Sequence, residues 1–246
     1  MFPIRDHNPS GMQPFVTQLL IAANVLIFLS YQLTLEEWQI YEIFAHWGLI
    51  PARIAYGEGY HTLFTHMFLH AGWMHIIGNM LFLWIFGDNL EERMGRLRFL
   101  AFYLAGGLAA AALQLIVDWG SMAPMVGASG AVAGVMGGYL LLFPRARVDV
   151  FLFFIIFFRI QPLPTWAVLG FWFGLQIFSG LSTPTEAAST AYWAHVGGFV
   201  AGLVLTLPLL RRLGGRSYWS QTHGAPPHPE ARYALAQSRI PKVPRR

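Results

Sequence analysis

The stretch "MAPMVGASGAVAGVMGGYLLLFP", residues 122–144, places one hydroxyl group, that of Ser129, at the start of a long apolar segment. The run from Ser129 to Phe143, before Pro144, would form a helix about 22 Å long. The hydrocarbon core of a bilayer is about 30 Å thick, so Ser129 would lie roughly 8 Å below one boundary. Irregular backbone is tolerated at that depth only around a protein-lined or water-filled cavity. The stretch therefore predicts a wet pocket with a serine at its floor.

The composition of the whole chain indicates a membrane protein. Of its 246 residues, 55% are hydrophobic and only 11% are charged, whereas soluble domains carry about 25% charged residues. The apolar residues form stretches close to the roughly 20 residues that a membrane-crossing helix needs, and they lack the alternation of strands. We therefore predict an all-α membrane protein, a bundle of six transmembrane helices over 17–35, 72–87, 97–117, 129–143, 165–181 and 192–210.

The placement of the basic residues predicts how these helices are oriented. If the N-terminus is cytoplasmic, 15 of the 16 Lys and Arg residues fall on the inner side and only Arg53 lies outside. This positive-inside pattern predicts cytoplasmic N- and C-termini, and it explains the charges better than nucleic-acid binding does. We expect a cytoplasmic N-terminal tail over 1–16, a membrane domain over 17–212 and a disordered, basic cytoplasmic tail over 213–246. The apolar core of the 143–164 connection is too short to span and is expected to lie along the inner surface.

Polar side chains inside a membrane are costly and indicate function. His75 and Asn79 lie near the start of the second stretch, Ser129 opens the fourth, and His195 lies near the start of the sixth. All three stretches run from outside to inside in the predicted topology. The four side chains should therefore occupy one layer near the outer face.

Small residues four apart predict close packing of the fourth and sixth helices: Gly130, Gly134 and Gly138 on one, and Ala194, Gly198 and Gly202 on the other. Such packing can bring Ser129 and His195 within hydrogen-bond reach, the minimal arrangement that activates a serine nucleophile. The sixth stretch contains no Asp or Glu, so we expect a dyad. The N–H of Ser129, together with His75 and Asn79, could stabilise the oxyanion of acyl transfer.

These motifs resemble those of the rhomboid family of intramembrane serine proteases. The similar segments are "GASG" at 127–130, "AHVGGFVAG" at 194–202, the H-x-x-x-N pattern of "WMHIIGNM" at 73–80, and Glu91 with Gly95 in "EERMG". The resemblance covers residues 60–212. It implies a six-helix core that cleaves transmembrane substrates near the outer surface of the lipid bilayer, with no cofactor and no metal.

The resemblance also implies a role for each site residue. Ser129 would be the nucleophile, His195 the general base, and His75, Asn79 and the Ser129 N–H the oxyanion donors. The fifth stretch and the 182–191 loop would be the substrate gate and cap. Two features depart from the family pattern: the first outer loop lacks a Trp-Arg pair, and Ala133 stands where some members carry an aromatic residue against the catalytic histidine.

Three other functions are compatible with parts of the sequence. A membrane metalloenzyme could use His66, His70 and His75, although the later stretches add few further ligands. A non-catalytic relative of the same fold would bind or chaperone membrane proteins, and a proton-coupled transporter would need buried carboxylates that the stretches lack.

The aromatic-rich "FWFGLQIF" at 171–178 is interpreted as lipid-facing. Six spans and no evident targeting peptide favour a prokaryotic inner (plasma) membrane.

Overall fold

The structure, a computed structural model, describes residues 2–154, 157–184, 190–229 and 231. It is mostly helical, with one small sheet. In chain order the elements are β1 (Phe2–Asp6), α1 (Phe15–Gln32), α2 (Glu37–Trp47), α3 (Pro51–Ala55), α4 (Thr62–Thr65), a 3-10 turn (His66–Phe68), α5 (Trp73–Met94), α6 (Arg96–Val117), α7 (Ser129–Leu142), β2 (Arg147–Phe154), β3 (Phe157–Pro164), α8 (Thr165–Ser182), α9 (Tyr192–Arg212) and α10 (Arg216–Thr222).

Each predicted apolar stretch coincides with one long helix: α1, α5, α6, α7, α8 or α9. By length and composition, α1, α6 and α9 can each cross a membrane. A fourth crossing is obtained if the segment Thr62–Phe68, bent by 94° relative to α5, is joined to that helix. At 14 residues, α7 is shorter than a full crossing. The chain is thus a multi-pass membrane protein, while six crossings and cytoplasmic termini stay predictions.

A three-stranded sheet corrects the prediction of an all-α chain. The strands β1, β2 and β3 lie side by side in that order and pair antiparallel. Residues 147–164 are rich in Val, Phe and Ile, which favour strands, and the strands at 147–154 and 157–164 pair with each other where the sequence predicts a surface connection. In β1, Arg5 donates to Asp149 of β2 at 2.7 Å. Burial alone would raise the pKa of Asp149, but hydrogen bonds from His7 and Arg5 lower it.

The segment after α9 also departs from the predicted disorder. Over 216–222 it forms α10, in which the Tyr218 side chain is buried. Trp219 Nε1 donates to the carbonyl of Leu141 at the end of α7, at 3.0 Å. Further along, His228 Nε2 lies 2.8 Å from Glu92 Oε2. These aromatic and polar anchors fix the beginning of the segment on the bundle, and 232–246 lie outside the described residues.

Two residues of the "EERMG" motif organise the junction of three helices. The buried carboxylate of Glu91 accepts hydrogen bonds from the N–H of Val16 at 2.9 Å and from the N–H and hydroxyl of Thr17 at 2.8 and 2.9 Å. The first N–H groups of a helix have no partner within it, and a negative charge there is favourable. Glu91 therefore stabilises the start of α1. Gly95 makes the turn between α5 and α6. Its φ of +80° lies in a region of backbone conformation that favours glycine.

We predict that Glu91→Ala destabilises the protein by about 2–4 kcal/mol, since hydrogen bonds to charged groups contribute roughly 1.5–3 kcal/mol each and do not add fully. The free energy of unfolding of the purified protein in detergent measures this loss. Glu42→Ala, on the exposed surface of α2, is the matched control and should leave stability unchanged. Equal stability of the two variants would contradict the role assigned to Glu91.

The centre of the bundle is α7, most of whose residues are buried. It meets α9 along glycines, as the spacing predicts. A Cβ added at Gly198 would overlap the carbonyl of Gly130, and one at Gly202 would overlap the carbonyl of Gly134. Only glycine allows the two backbones to approach so closely. This contact holds the first turn of α7 beside the first turn of α9.

Candidate active site

One cavity of about 730 Å³ collects the four predicted site residues: His75, Asn79, Ser129 and His195. It lies at the end of the bundle where α5, α7 and α9 begin. The sequence predicts that these side chains share a layer, and the structure places them around one space. Cavities of this size, lined by apolar groups and a few convergent polar ones, are typical of binding sites.

Ser129 is the first residue of α7 and is half-buried. The loop before it is fixed by backbone hydrogen bonds: Leu49 and Met125 exchange N–H···O bonds of 2.9 and 2.8 Å, and the N–H of Gly127 donates to the carbonyl of His66 at 2.9 Å. Within the described part of the chain, no side chain caps the start of α7. Its first N–H groups therefore stay available as donors at the serine.

The side chains of His75 and Ser129 both lie close to Gly127. A Cβ added to Gly127 would lie 2.7 Å from Cε1 and Nε2 of the His75 ring and 3.5 Å from Ser129 Oγ. Gly127 also has φ +131°, a conformation that favours glycine. The glycine before the serine is thus required both by the backbone turn and by the space that the imidazole occupies.

Asn79 is buried one helical turn below His75, with 7% of its surface exposed. Its Nδ2 donates to the carbonyl of His75 at 3.0 Å. An amide nitrogen carries two hydrogens, so one remains for a group in the cavity. The structure therefore leaves Asn79 half of the donor capacity that the sequence suggests.

The histidines considered as metal ligands do not gather around one point. His66 Nδ1 lies 2.7 Å from the carbonyl of Thr62, and the buried His70 ring packs edge-on against His75 with centroids 5.2 Å apart. Among the described residues, no group of three His, Cys, Asp or Glu side chains is arranged to hold a metal ion. His66 instead lines the cavity, and His70 packs against the ring of His75.

His195 is held by a helix that the sequence interpretation placed against lipid. Its Nδ1 lies 2.8 Å from Oε1 of Gln176, and its ring lies 5.7 Å from that of Trp172, tilted by 36°. Both partners belong to α8. The interpretation of "FWFGLQIF" as lipid-facing is therefore wrong for Trp172 and Gln176. Their spacing of four residues, which puts two side chains on one helix face, is the signal that could have identified them.

The His195 ring is supported by these two contacts with α8 rather than by Ala133. Ala133 is buried in α7 and offers only a methyl group. The aromatic surface comes from α8, as Trp172, rather than from four residues after the serine. The partner of Nδ1 is an amide, that of Gln176, rather than a carboxylate.

The serine and the histidine lie on adjacent first turns. A Cβ added to Gly130, next to Ser129, would be 3.7 Å from the carbonyl oxygen of Ala194, next to His195. In the portion of the chain that the structure describes, no hydrogen bond joins the two side chains directly. Both line the same cavity. The predicted cap, 182–191, includes 185–189, which lie outside the described residues.

Comparison with known proteins agrees with this architecture. Residues 57–212 match the rhomboid domain. The chain is 30% identical over 141 residues to Rhomboid protein 1, mitochondrial, of Saccharomyces cerevisiae, covering 56% of this chain and 38% of that protein. It is 28% identical over 195 residues to Rhomboid-related protein 2 of Mus musculus, covering 77% and 62%.

A third relative is named as an enzyme. The chain is 33% identical over 128 residues to Rhomboid protease GluP of Bacillus subtilis, covering 52% of this chain and 24% of that protein. The matched regions thus span less than two thirds of each of these relatives. Because the domain match extends over more than half of the sequence, including every residue of the candidate site, the chain belongs to the rhomboid family.

Proposed function

We propose that this protein is an intramembrane serine endopeptidase, in which Ser129 is the nucleophile and His195 the general base. One observation supports the proposal most strongly: both side chains line one cavity, and the Nδ1 of His195 is already occupied by Gln176. Its other nitrogen, Nε2, is left to accept the proton of a serine hydroxyl. A positioned base next to a serine is what nucleophilic catalysis requires.

The reaction follows from these two groups. His195 Nε2 takes the proton from Ser129 Oγ as the oxygen attacks the scissile carbonyl, which forms a tetrahedral oxyanion. The imidazolium then protonates the leaving amine, and the C–N bond breaks to leave an acyl ester on Ser129. Water, deprotonated by His195, hydrolyses the ester and restores the serine.

The oxyanion would be stabilised by donors that are already in place. The N–H of Ser129 lies at the uncapped start of α7, and the His75 ring packs against Gly127, two residues before the serine. Asn79 contributes its remaining N–H. Fixed donors of this kind act without reorganising during the reaction, and one is worth about 3–4 kcal/mol of the barrier.

The substrates would be transmembrane proteins cut near the outer membrane face. A six-span topology with cytoplasmic termini, which the positions of 15 of the 16 basic residues support, would put the starts of α5, α7 and α9 toward the outside. A cavity there would receive a peptide segment that leaves the bilayer. We propose the inner (plasma) membrane of a prokaryote as the location.

Cleavage by the reconstituted protein tests the proposal. The purified chain in liposomes is supplied with a panel of single-span reporter proteins, and the products are mapped by mass spectrometry. We expect hydrolysis near the outer end of the span, unaffected by a metal chelator. Loss of cleavage with the chelator would favour a metalloenzyme. Reporter binding without hydrolysis would favour a non-catalytic relative.

We predict that His75→Ala lowers kcat by roughly 10²-fold, the typical effect of one lost oxyanion donor. Asn79→Ala should lower kcat less, because one of its two N–H groups is engaged by the carbonyl of His75. Steady-state kinetics on the reconstituted variants measure both effects. Full activity of the folded His75→Ala protein would remove this residue from the oxyanion site.

A further inference from the structure

We propose that Gln176 is a positioning residue that holds His195 in the tautomer with its proton on Nδ1, so that Nε2 is free to act as the base. This inference rests on the proposed function and adds a third member to the serine–histidine pair. The member comes from α8, a different helix from those that carry the pair. The sequence assigns Gln176 no role.

The second contact of the Gln176 amide favours one orientation of its two ends. Its Nε2 donates to the carbonyl of Trp172, one turn earlier in α8, at 3.4 Å. The nitrogen therefore faces its own helix and Oε1 faces His195, 2.8 Å from Nδ1. Since an amide oxygen only accepts hydrogen bonds, the Nδ1 that meets it must carry the proton. The neutral ring then has its lone pair on Nε2.

The Trp172 side chain restricts the remaining freedom of the ring. It lies 5.7 Å from the His195 ring, and it also contacts Phe199, one turn further along α9, with centroids 6.1 Å apart. Phe173 stacks on Phe199 at 4.5 Å. The amide thus fixes the tautomer while the indole fixes the plane. The tautomer and the ring plane must both be correct before the imidazole can accept the proton of a serine hydroxyl.

Because the partner of His195 is a neutral amide, it affects the charge state of the imidazole differently from a carboxylate. It accepts the Nδ1 proton but adds no charge, so it stabilises the imidazolium less than an Asp or Glu would. Among the described residues, the other titratable side chains that line the cavity are His66, His75, Asp118 and Tyr192. They are the same in every variant of Gln176. A shift in the pH profile between such variants therefore reports on the Gln176–His195 contact.

Two substitutions test the inference. Gln176→Met keeps the shape and removes the acceptor, and we expect kcat to fall by roughly 10- to 100-fold, as for partners that orient metal-bound histidines. KM should change little. The acid limb of the pH profile should move to lower pH, because the imidazolium loses a stabilising acceptor. Gln176→Glu should recover much of the lost kcat and move the acid limb to higher pH.

The control is Leu175→Met, which places the same side chain on the exposed side of α8, where Leu175 is 42% exposed. It should behave as the wild type. A Gln176→Met protein with the kcat and pH profile of this control would overturn the inference. So would a Gln176→Glu protein that is no more active than Gln176→Met.

A spectroscopic readout separates this inference from the proposed function. The ¹⁵N shifts of labelled histidine, assigned to His195 by its loss in His195→Ala, report which ring nitrogen carries the proton without any substrate. We expect the proton on Nδ1 in the wild type and a mixture of tautomers in Gln176→Met. A wild-type proton on Nε2 would overturn the inference. Absence of cleavage with the proton on Nδ1 would count against the proposed function alone.

Discussion

Ser129→Ala and His195→Ala should each abolish peptide hydrolysis while leaving the protein folded. Removing the nucleophile or the base of such a unit lowers kcat by roughly 10⁶-fold in a serine protease. Within the described structure, the contact of His195 with Gln176 is the one side-chain hydrogen bond that either residue makes. Removing either side chain should therefore leave the fold intact. The measurement is cleavage of a single-span reporter in liposomes, alongside the unfolding temperature of each variant.

Matched controls are available on the same chain. Ser30→Ala removes a hydroxyl from the exposed surface of α1, and His46→Ala removes an exposed imidazole from α2. Both should retain wild-type cleavage. Turnover that persists in a folded Ser129→Ala protein would exclude the serine mechanism, and turnover that persists in His195→Ala would exclude this base.

Gly202→Ala should destabilise the protein by at least about 2 kcal/mol, the scale of overpacking in a filled core. The added methyl group would overlap the backbone carbonyl of Gly134, which cannot rotate away as a side chain could. Separating α9 from α7 would also move His195 away from Ser129. We therefore expect a loss of cleavage together with the loss of stability, measured on the same purified sample.

Gly174→Ala is the control for this substitution. Gly174 also lies within a long helix, α8, but a Cβ there would meet nothing within 4 Å. Replacing such a helical glycine by alanine is expected to stabilise the protein by about 0.5–1 kcal/mol. If the two alanine variants have the same stability and activity, the close approach of α7 and α9 is not what holds the site together.

The helices and the layer of polar residues could be predicted because both are local properties of the sequence. Apolar length locates α1, α5, α6, α7, α8 and α9. The positions of His75, Ser129 and His195 near the starts of three such helices then place them at one end of the bundle. The spacing of the glycines in α7 and α9 further predicts that these two helices are in contact. None of these steps needs a contact between distant residues.

The sheet and the contacts of α8 could not be predicted in this way. A short apolar run such as 150–158 does not distinguish strand from surface helix, and its partner β1 lies almost 150 residues earlier in the chain. In α8, the aromatic residues Trp172 and Phe178 look alike in the sequence. Only packing shows that Trp172 faces His195 whereas Phe178 is 67% exposed.

Covalent labelling of the wild-type protein with a fluorophosphonate tests the central claim most directly, because it needs no knowledge of the natural substrate. The probe reacts with a serine oxygen only when a nearby base activates it. We predict a single adduct, mapped by mass spectrometry to Ser129, and its loss in the folded His195→Ala protein. A wild-type protein that is folded yet unlabelled, or an adduct that forms at Ser129 equally well without His195, would contradict the account.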